Sequence, residues 1–549
     1  MKKNKLSLFY ALLLSAATAA PLMAMLYLAD RFFGLAFLPF DFFDWLARML
    51  PGSLLTFGID SMVDTIIAFN LGETSSAAKT AEQLLGLVSF FIVITLIGGI
   101  VIYILSRLEE KQRIVAGMVM GAIAVIPLVL ISHEVNQSST VDPLLNSIWF
   151  MALFAVWGWV LAWVVNATLI APETAQTEAE MGLDRRQFII RLGSASAVLT
   201  IAGAGLGALL GSGSNDPVEI VVDTTTDTMS DTAQNLPNKS AILKPAAGTR
   251  PEYTPLDQHY RIDISARPPV IEPETWRLKI NGLVENLTEL SLAELQSDFE
   301  SVDQFVTLSC ISNRLGGDLI STTKWTGIPF SKIMTLVKPE AEAGAVLIRG
   351  ADGFDEFVRL ETLTSDDRIM LVYAWDDQPL KQKHGFPLRI YIPNLYGMKQ
   401  PKWIESMEFV SEWGEGFWVR RGWDKDATIN ATSVIDTVAV DSIYKQDDQY
   451  VVPIGGIAYA GPRGIKSVEL RVDQGEWQTA ALRQPISDTT WVIWRFDWPF
   501  TGGNHNFEVR CTEGDGTLQS EVARGTRPSG ATGIDSMESR LPDPDSIKA

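Results

Sequence analysis

Five apolar stretches dominate the first 210 residues, at 6–29, 84–105, 114–132, 144–170 and 192–210. Each is about as long as a bilayer-crossing helix needs to be, roughly 20 residues. A buried helix is the alternative for one or two of them. Basic residues cluster before the first stretch (Lys2, Lys3, Lys5), between the second and third (Arg107, Lys111, Arg113) and between the fourth and fifth (Arg185, Arg186, Arg191). Five crossings put all three clusters on one side, which the positive-inside rule makes cytoplasmic. The loop at 132–143 has no Lys or Arg, as an outer loop should. Everything after residue 210 is then expected outside the cytoplasm, on a multi-pass protein of the cell membrane.

Residues 30–83 do not read as a span. Phe32, Phe33, Phe42, Phe43 and Trp45 stand beside Asp41, Asp44 and Arg48, a pattern for interfacial helices on the outer surface, or for a re-entrant fold. Gly203, Gly207 and Gly211 form a small-residue face on the fifth stretch, or are ordinary membrane-helix composition. Arg185-Arg186-Gln187-Phe188-Ile189 resembles a twin-arginine export signal, with a plain positive-inside anchor as the alternative. The spans contain no histidine pair to hold a haem and no ionisable residues to line a transport path. The membrane part therefore reads as an anchor or docking surface.

Most of the formal net charge of −20 falls after residue 210, which argues against a nucleic-acid partner. Residues 211–251, rich in Ser, Gly, Asp, Asn and Thr, read as a linker. From 252 to 430 strand and helix patterns mix, giving an α+β domain. From 431 to 525 the pattern is all β, with turns at Gly455-Gly456, Gly461-Pro462 and Gly502-Gly503, as in a small immunoglobulin-like β-sandwich. Residues 526–549 read as a C-terminal tail, a wrap or a loose end.

The chain has two cysteines, Cys310 and Cys511, too few for a disulfide scaffold. One bridge between them would remove a reactive thiol. An apolar run at 305–308 reads as a strand that delivers Cys310 to its end, followed by a polar loop with Asn313, Arg314 and the pair Gly316-Gly317. Such a loop can approach a ligand closely, because glycine has no side chain in the way. A buried core thiol is the bland alternative. Against it stand the abrupt change of polarity after Cys310 and a basic, histidine-containing cluster at 384–402.

Three motifs in order carry a resemblance: Thr307-Leu308-Ser309-Cys310-Ile311-Ser312-Asn313-Arg314, then His384-Gly385-Phe386-Pro387-Leu388-Arg389, then Gly397-Met398-Lys399-Gln400-Pro401-Lys402-Trp403. Over about residues 253–525 the chain resembles the sulfite-oxidase family of molybdopterin enzymes, and in layout its membrane-anchored bacterial branch. The resemblance implies molybdenum held by a molybdopterin dithiolene and by Cys310, a soft thiolate ligand. It implies Asn313, His384, Arg389, Lys399 and Lys402 as cofactor-binding residues, the cations serving an anionic phosphate, and Arg314 as a catalytic residue that steers an oxyanion or bonds the cofactor. It further implies oxygen-atom transfer to or from a small S- or N-containing substrate, a separate redox carrier such as a cytochrome or quinone-linked protein, and a homodimer formed through the β domain.

Departures from the family pattern bear on the substrate. Leu315 stands where sulfite oxidases carry a second arginine. Tyr260-Arg261-Ile262-Asp263 replaces their Arg-Asn-His, and the stretch 352–357 has no tyrosine. No Cys-x-x-Cys-His is present for a haem. A sulfoxide or N-oxide reductase is thus the alternative to a sulfite-type oxidase, and a non-enzymatic surface binding protein is the alternative from another class.

Overall fold

The computed structural model describes residues 6–136, 138–169, 178–210 and 235–544. Seven helices lead the chain: α1 (Leu8–Phe33), α2 (Leu38–Met49), α3 (Gly52–Ala68), α4 (Thr74–Leu105), α5 (Glu110–Val135), α6 (Pro143–Leu169) and α7 (Glu178–Leu210). The described chain forms two compact units. One is built from α1, α2, α4 from Ala78 onward, α5 to α7, and the short segment Ile264–Val270. The other takes α3, residues 235–263 and everything from Ile271 on.

In the helical unit, α1, α4, α5 and α6 are long and apolar enough to cross a membrane. They coincide with the first four expected spans. The fifth falls inside α7, where the apolar run among the described residues is shorter, Ile190–Gly203. The side chains of Asp184, Arg185 and Arg186 in the twin-arginine-like motif lie outside the described residues, as does Gly211.

Close helix packing occurs at a place the sequence reading did not mark. A side chain on Gly117 or Gly121 of α5 would collide with the backbone carbonyl of Gly158 or Phe154 on α6, and one on Gly158 with that of Gly117. Glycine here lets two backbones touch, the small-residue packing common between membrane helices. Gly203 of α7 faces Ala24 of α1, where an added Cβ would lie only 3.1 Å from the alanine methyl, a tight contact.

The acidic residues of α2 are turned inward. Asp41 and Asp44 are buried. Asp41 accepts from Ser132 (2.6 Å) and Asn136 (2.8 Å), and Asp44 accepts the Ala266 N–H (3.0 Å). Asp30, at the end of α1, takes a two-pronged bond from Arg267 at 2.6 and 2.9 Å. Asp30 and Asp44 hold the returning segment Ile264–Val270 within the unit, and Asp41 ties α2 to the end of α5, because a buried carboxylate must be hydrogen-bonded or paired.

The second unit begins with ten strands: β1 (Leu278–Gly282), β2 (Thr288–Leu290), β3 (Val302–Ser309), β4 (Ile320–Pro329), β5 (Ala345–Gly350), β6 (Asp355–Arg359), β7 (Met370–Trp375), β8 (Gln378–Pro379), β9 (Arg389–Tyr391) and β10 (Ile404–Val410). They make two mixed-order sheets, β2-β1-β10-β5-β6 and β3-β4-β7-β8, with β9 added on β7. Only the β1–β10 pair is parallel. Short helices α8 (Leu292–Ser297), α9 (Phe330–Val337) and α10 (Leu360–Thr364) connect them. Ser291 opens α8 with a capping box to Glu294, the Ser-x-x-Glu signature. Leu278, Ile280, Ile328, Ile333, Val346, Ile348, Ile390 and Met407 share one core.

Nine more strands follow: β11 (Thr432–Val438), β12 (Tyr444–Gln446), β13 (Gln449–Tyr459), β14 (Ile465–Val472), β15 (Gln478–Thr479), β16 (Ala481–Leu482), β17 (Val492–Pro499), β18 (Gly503–Glu513) and β19 (Asp535–Leu541). They form two antiparallel sheets, β11-β13-β17-β16 with β12 on β13, and β15-β14-β18-β19. Residues of both share one core, including Ile454 and Trp494 from the first and Val468, Leu470, Phe507 and Cys511 from the second. Two boundaries change. Residues 535–541 are no loose tail, since β19 pairs with β18 over seven residues. The described part of the expected linker is docked rather than extended: Asn238 donates to Gln484 O (2.7 Å), Arg250 binds Asp436 (2.6 Å), and Ala246 is buried.

Candidate functional site

Strand β3 has β4 as its neighbour over its whole length, from Val302↔Gly327 to Ser309↔Ile320. It is buried from Val306 to Ser309, so it delivers Cys310 to the sheet's end at a fixed place, as the apolar run in the sequence leads one to expect. The Cys310 N–H still bonds Leu319 O (2.9 Å), and the loop then turns, with Asn313 N–H on Cys310 O (3.0 Å) and Gly317 N–H on Arg314 O (3.0 Å). The Asn313 carbonyl oxygen accepts the Leu319 N–H (2.9 Å). Asn313 thus shapes the loop. A side chain on Gly317 would press on that same oxygen, which is why the loop needs a glycine there.

Cys310 and Cys511 are both free and buried. Cys310 Sγ lies 3.0 Å from Ser312 Oγ. Burial pushes its thiol above the ordinary range, while Ser312, nearby backbone N–H groups and Lys402 favour the thiolate. Cys511 belongs to the β-domain core, where its Sγ meets Gln519 (3.1 Å).

Around Cys310 the structure gathers residues from five separated segments. Tyr260 packs in its cluster with Trp325, Trp375 and Tyr391. Burial, and the Cys310 sulfur next to it, hold the Tyr260 phenol well above its usual range. His384 lies 4.6 Å from the Trp375 ring and 5.4 Å from the His259 ring. Arg389 is buried, donates to His384 O (3.0 Å) and lies 4.5 Å over the Trp325 ring. Burial lowers the Arg389 guanidinium to about 10. Lys402 reaches Asp263 (3.0 Å), and burial brings it down to about 8 against the pull of that carboxylate. Gly385 sits at φ +113°, and a Cβ there would press on Lys402 and Arg389 at 3.2–3.3 Å. This glycine lets the histidine turn and the two cations pack together.

His259 is the residue that sequence reasoning missed. Its Nδ1 faces the Tyr260 carbonyl at 3.0 Å, so the proton sits on Nδ1 and Nε2 carries a lone pair. Burial, then the charge of Arg389, lowers its pKa to about 3; it is a neutral imidazole. Burial and the same cations keep His384 well below its ordinary value. The chain has only four histidines, and His259 stands directly before Tyr260, in the stretch read only for its missing Arg-Asn-His. Tyrosine is also supplied from unexpected places, Tyr260 and Tyr396, rather than from 352–357. In that stretch Asp352 caps its own turn through the Phe354 N–H (3.0 Å) and Asp355 pairs with Arg420 (2.6 Å).

Two expected residues lie apart from this cluster. Arg314 turns to Asp64 of α3, and both are substantially exposed. Lys399 is buried against Glu356 at 2.8 Å, with a second bond to Phe357 O at 3.2 Å. It lines a cavity of about 300 Å³ with Trp413, Arg359 and Lys425.

A test of whether these residues suit a bound cofactor is the state of their buried polar atoms. His259 Nε2, Arg389 Nε, Trp325 Nε1 and Trp375 Nε1 are buried with no hydrogen-bond partner among the described residues. Such atoms are costly to leave unpaired. One acceptor and three donors, beside the cations Arg389 and Lys402, suit an anionic molecule that offers both kinds of partner. The thiol of Cys310 opens on the same cluster.

A cysteine at a strand end beside a cationic, hydrogen-bond-hungry pocket defines a molybdopterin-binding domain, and residues 265–418 match the profile of the "Oxidoreductase molybdopterin binding domain". The chain carries a molybdopterin-binding oxidoreductase domain and is similar to sulfite oxidases and their relatives. It is 24% identical to human "Sulfite oxidase, mitochondrial" over 44% of this chain and 52% of that one. It is 24% identical to "Nitrate reductase [NADPH]" of Fusarium oxysporum over 39% of this chain and 29% of that one. With "Putative protein-methionine-sulfoxide reductase subunit YedZ1" of Azospira oryzae it shares 28% identity over 34% of this chain and 68% of the relative. The chain thus spans a third to a half of the length of the nitrate reductase and sulfite oxidase relatives.

Proposed function

We propose that this protein is a membrane-anchored, extracytoplasmic oxidoreductase that transfers an oxygen atom to or from a small S- or N-containing substrate. Cys310 is the protein's ligand to molybdenum. His259, His384, Arg389 and Lys402 hold the organic part of the cofactor, and Arg314 stands at the approach to the site. The observation that carries this reading is the convergence of Cys310 with two neutral histidines and two buried cations, where His259 Nε2 and Arg389 Nε lack partners among the described residues. When bound, molybdenum supplies the two-electron chemistry; the chain supplies a soft thiolate, cations for an anionic tail and an aromatic wall that excludes water. Neutral His259 accepts a hydrogen bond at Nε2, while Arg389 and the two tryptophans donate. The membrane part anchors the protein in the bilayer with its multi-pass helices, a separate carrier exchanges the electrons, and the immunoglobulin-like β domain makes a homodimer.

Leu315 and the pairing of Arg314 with Asp64 favour reduction of a sulfoxide or N-oxide over oxidation of sulfite, because a sulfite pocket needs several unpaired cations for a dianion. The relative from Azospira oryzae carries a name of that kind. The deciding experiment is metal and pterin analysis of the wild type and Cys310→Ser, with dye-linked assays of sulfite oxidation and methionine sulfoxide reduction. The expected result is near one molybdenum per wild-type chain, with metal or activity lost in the variant. Equal metal and activity in both would remove Cys310 as ligand.

A further inference from the structure

We propose that Asp64 of α3 sets the charge a substrate meets beside Cys310, by neutralising Arg314. Asp64 is thereby a positioning residue that selects against anionic substrates, an inference that rests on the site proposed above. Helix α3 lies some 250 positions ahead of the Cys310 loop in the chain, yet folds into the same unit. It is held there independently of Asp64. Thr56 and Ile66 are buried, Asp60 binds Arg527 at 3.1 Å, and the Thr74 N–H just beyond the helix donates to Asp318, in the Cys310 loop, at 2.7 Å. Asp60 and Asp64 are four residues apart and share a face, and that face is turned to the loop.

The Asp64–Arg314 pair is 61% and 46% exposed, so it adds little to stability. Its effect is on the local field. A crevice beside the loop is lined by Ser309, Asn313, Arg314, Gly317, Tyr396 and Arg250. Arg250 is bound by Asp436 at 2.6 Å, and Arg314 by Asp64. Both arginines lining the crevice are therefore matched by carboxylates, and an arriving oxyanion finds no net attraction from either. Removing Asp64 leaves Arg314 as a single uncompensated cation one turn of chain from Cys310.

The test uses the full chain, purified without cofactor, and alkylation of Cys310 followed by mapping of its peptide. Iodoacetamide is neutral and iodoacetate anionic, so the ratio of their rates reads the charge at the loop and not the thiol's openness. Asp64→Asn is expected to raise the iodoacetate-to-iodoacetamide ratio about threefold or more at low ionic strength, the gain shrinking in high salt. Adding Arg314→Gln to Asp64→Asn returns the ratio to the wild-type value. An unchanged ratio in Asp64→Asn overturns the proposal. So does an equal rise in both rates, which would make α3 a cover and not a charge partner. In the loaded enzyme, Asp64→Asn lowers KM for sulfite and leaves kcat and KM for methionine sulfoxide unchanged. Absence of turnover with either substrate in the wild type would remove the proposed function, while the alkylation ratio still judges Asp64.

Discussion

Replacing Lys399 by methionine separates a structural lysine from a cofactor-binding one. Lys399 Nζ lies 2.8 Å from Glu356, with both side chains almost fully buried, at 2% and 0% exposure. Glu356 Oε1 also accepts the Phe357 N–H (2.9 Å), and Oε2 has no partner among the described residues. Burial already raises the Glu356 carboxyl, and Lys399 is the main group holding it down. Removing the lysine strands a carboxylate in the interior, which costs about 3–5 kcal/mol. For a unit of this size that is a fall of about 10 °C in Tm. Replacing both residues, Glu356→Leu with Lys399→Met, removes the charges together and restores most of the loss, because a buried pair exchanged for apolar groups is often near neutral. Differential scanning calorimetry gives the two Tm values, and molybdenum analysis of the same samples gives cofactor content. The double variant is expected to recover both stability and metal. A Lys399→Met protein that melts normally but lacks molybdenum, and a double variant that stays empty, would refute the reasoning and return Lys399 to the cofactor.

Three further outcomes are expected. The cofactor-free protein loses stability as pH falls below about 6.5: His259, its pKa lowered to about 3, and His384 are both held neutral, so the unfolded chain binds the extra protons, each at a cost of about 1.4 kcal/mol per pH unit. Denaturant titrations from pH 7.5 to 5 check this, and His259→Leu should roughly halve the slope, His384 supplying the rest; an unchanged slope would count against a buried neutral His259. Gly158→Leu forces α5 and α6 apart, and is expected to lower the yield of folded protein in detergent sharply, while Gly205→Leu, with open space around it, should be tolerated; size-exclusion profiles compare the two. Arg389→Met leaves the Trp325 face uncovered and removes a buried cation, and should reduce pterin content at least tenfold with little effect on the β domain, read by pterin fluorescence after acid release.

Much of the site was legible because its chemistry is local in sequence. Cys310, His384, Arg389 and Lys402 stand in short motifs, and the apolar run of β3 carries the cysteine to its place. What escaped reading depends on long-range packing. His259 has no periodicity or motif to mark it, and only the meeting of its segment with β4, β7 and the 382–384 turn reveals its role. Lys399 and Lys402 look alike three positions apart, yet one is claimed by Glu356, about 43 residues earlier, and the other by Asp263. The burial of Asp41 and Asp44 was likewise hidden, because Ser132, Asn136 and Ala266 are remote in the chain. Strand β19 was missed since Asp535, Glu538 and Arg540 make it polar and charged, as an edge strand is to discourage unwanted pairing.

The docked segment 238–250 also fixes an order of events during synthesis. Its partners Gln484 and Arg483 emerge from the ribosome some 240 residues after Asn238 and Leu243 do. Residues 238–243 must therefore wait for these bonds while both mixed sheets and most of the β domain are made, whereas Arg250 finds Gly317 and Asp436 earlier. The seam closes from the far end of the chain, so a nonsense change anywhere before residue 483 leaves its beginning untied as well as its end missing.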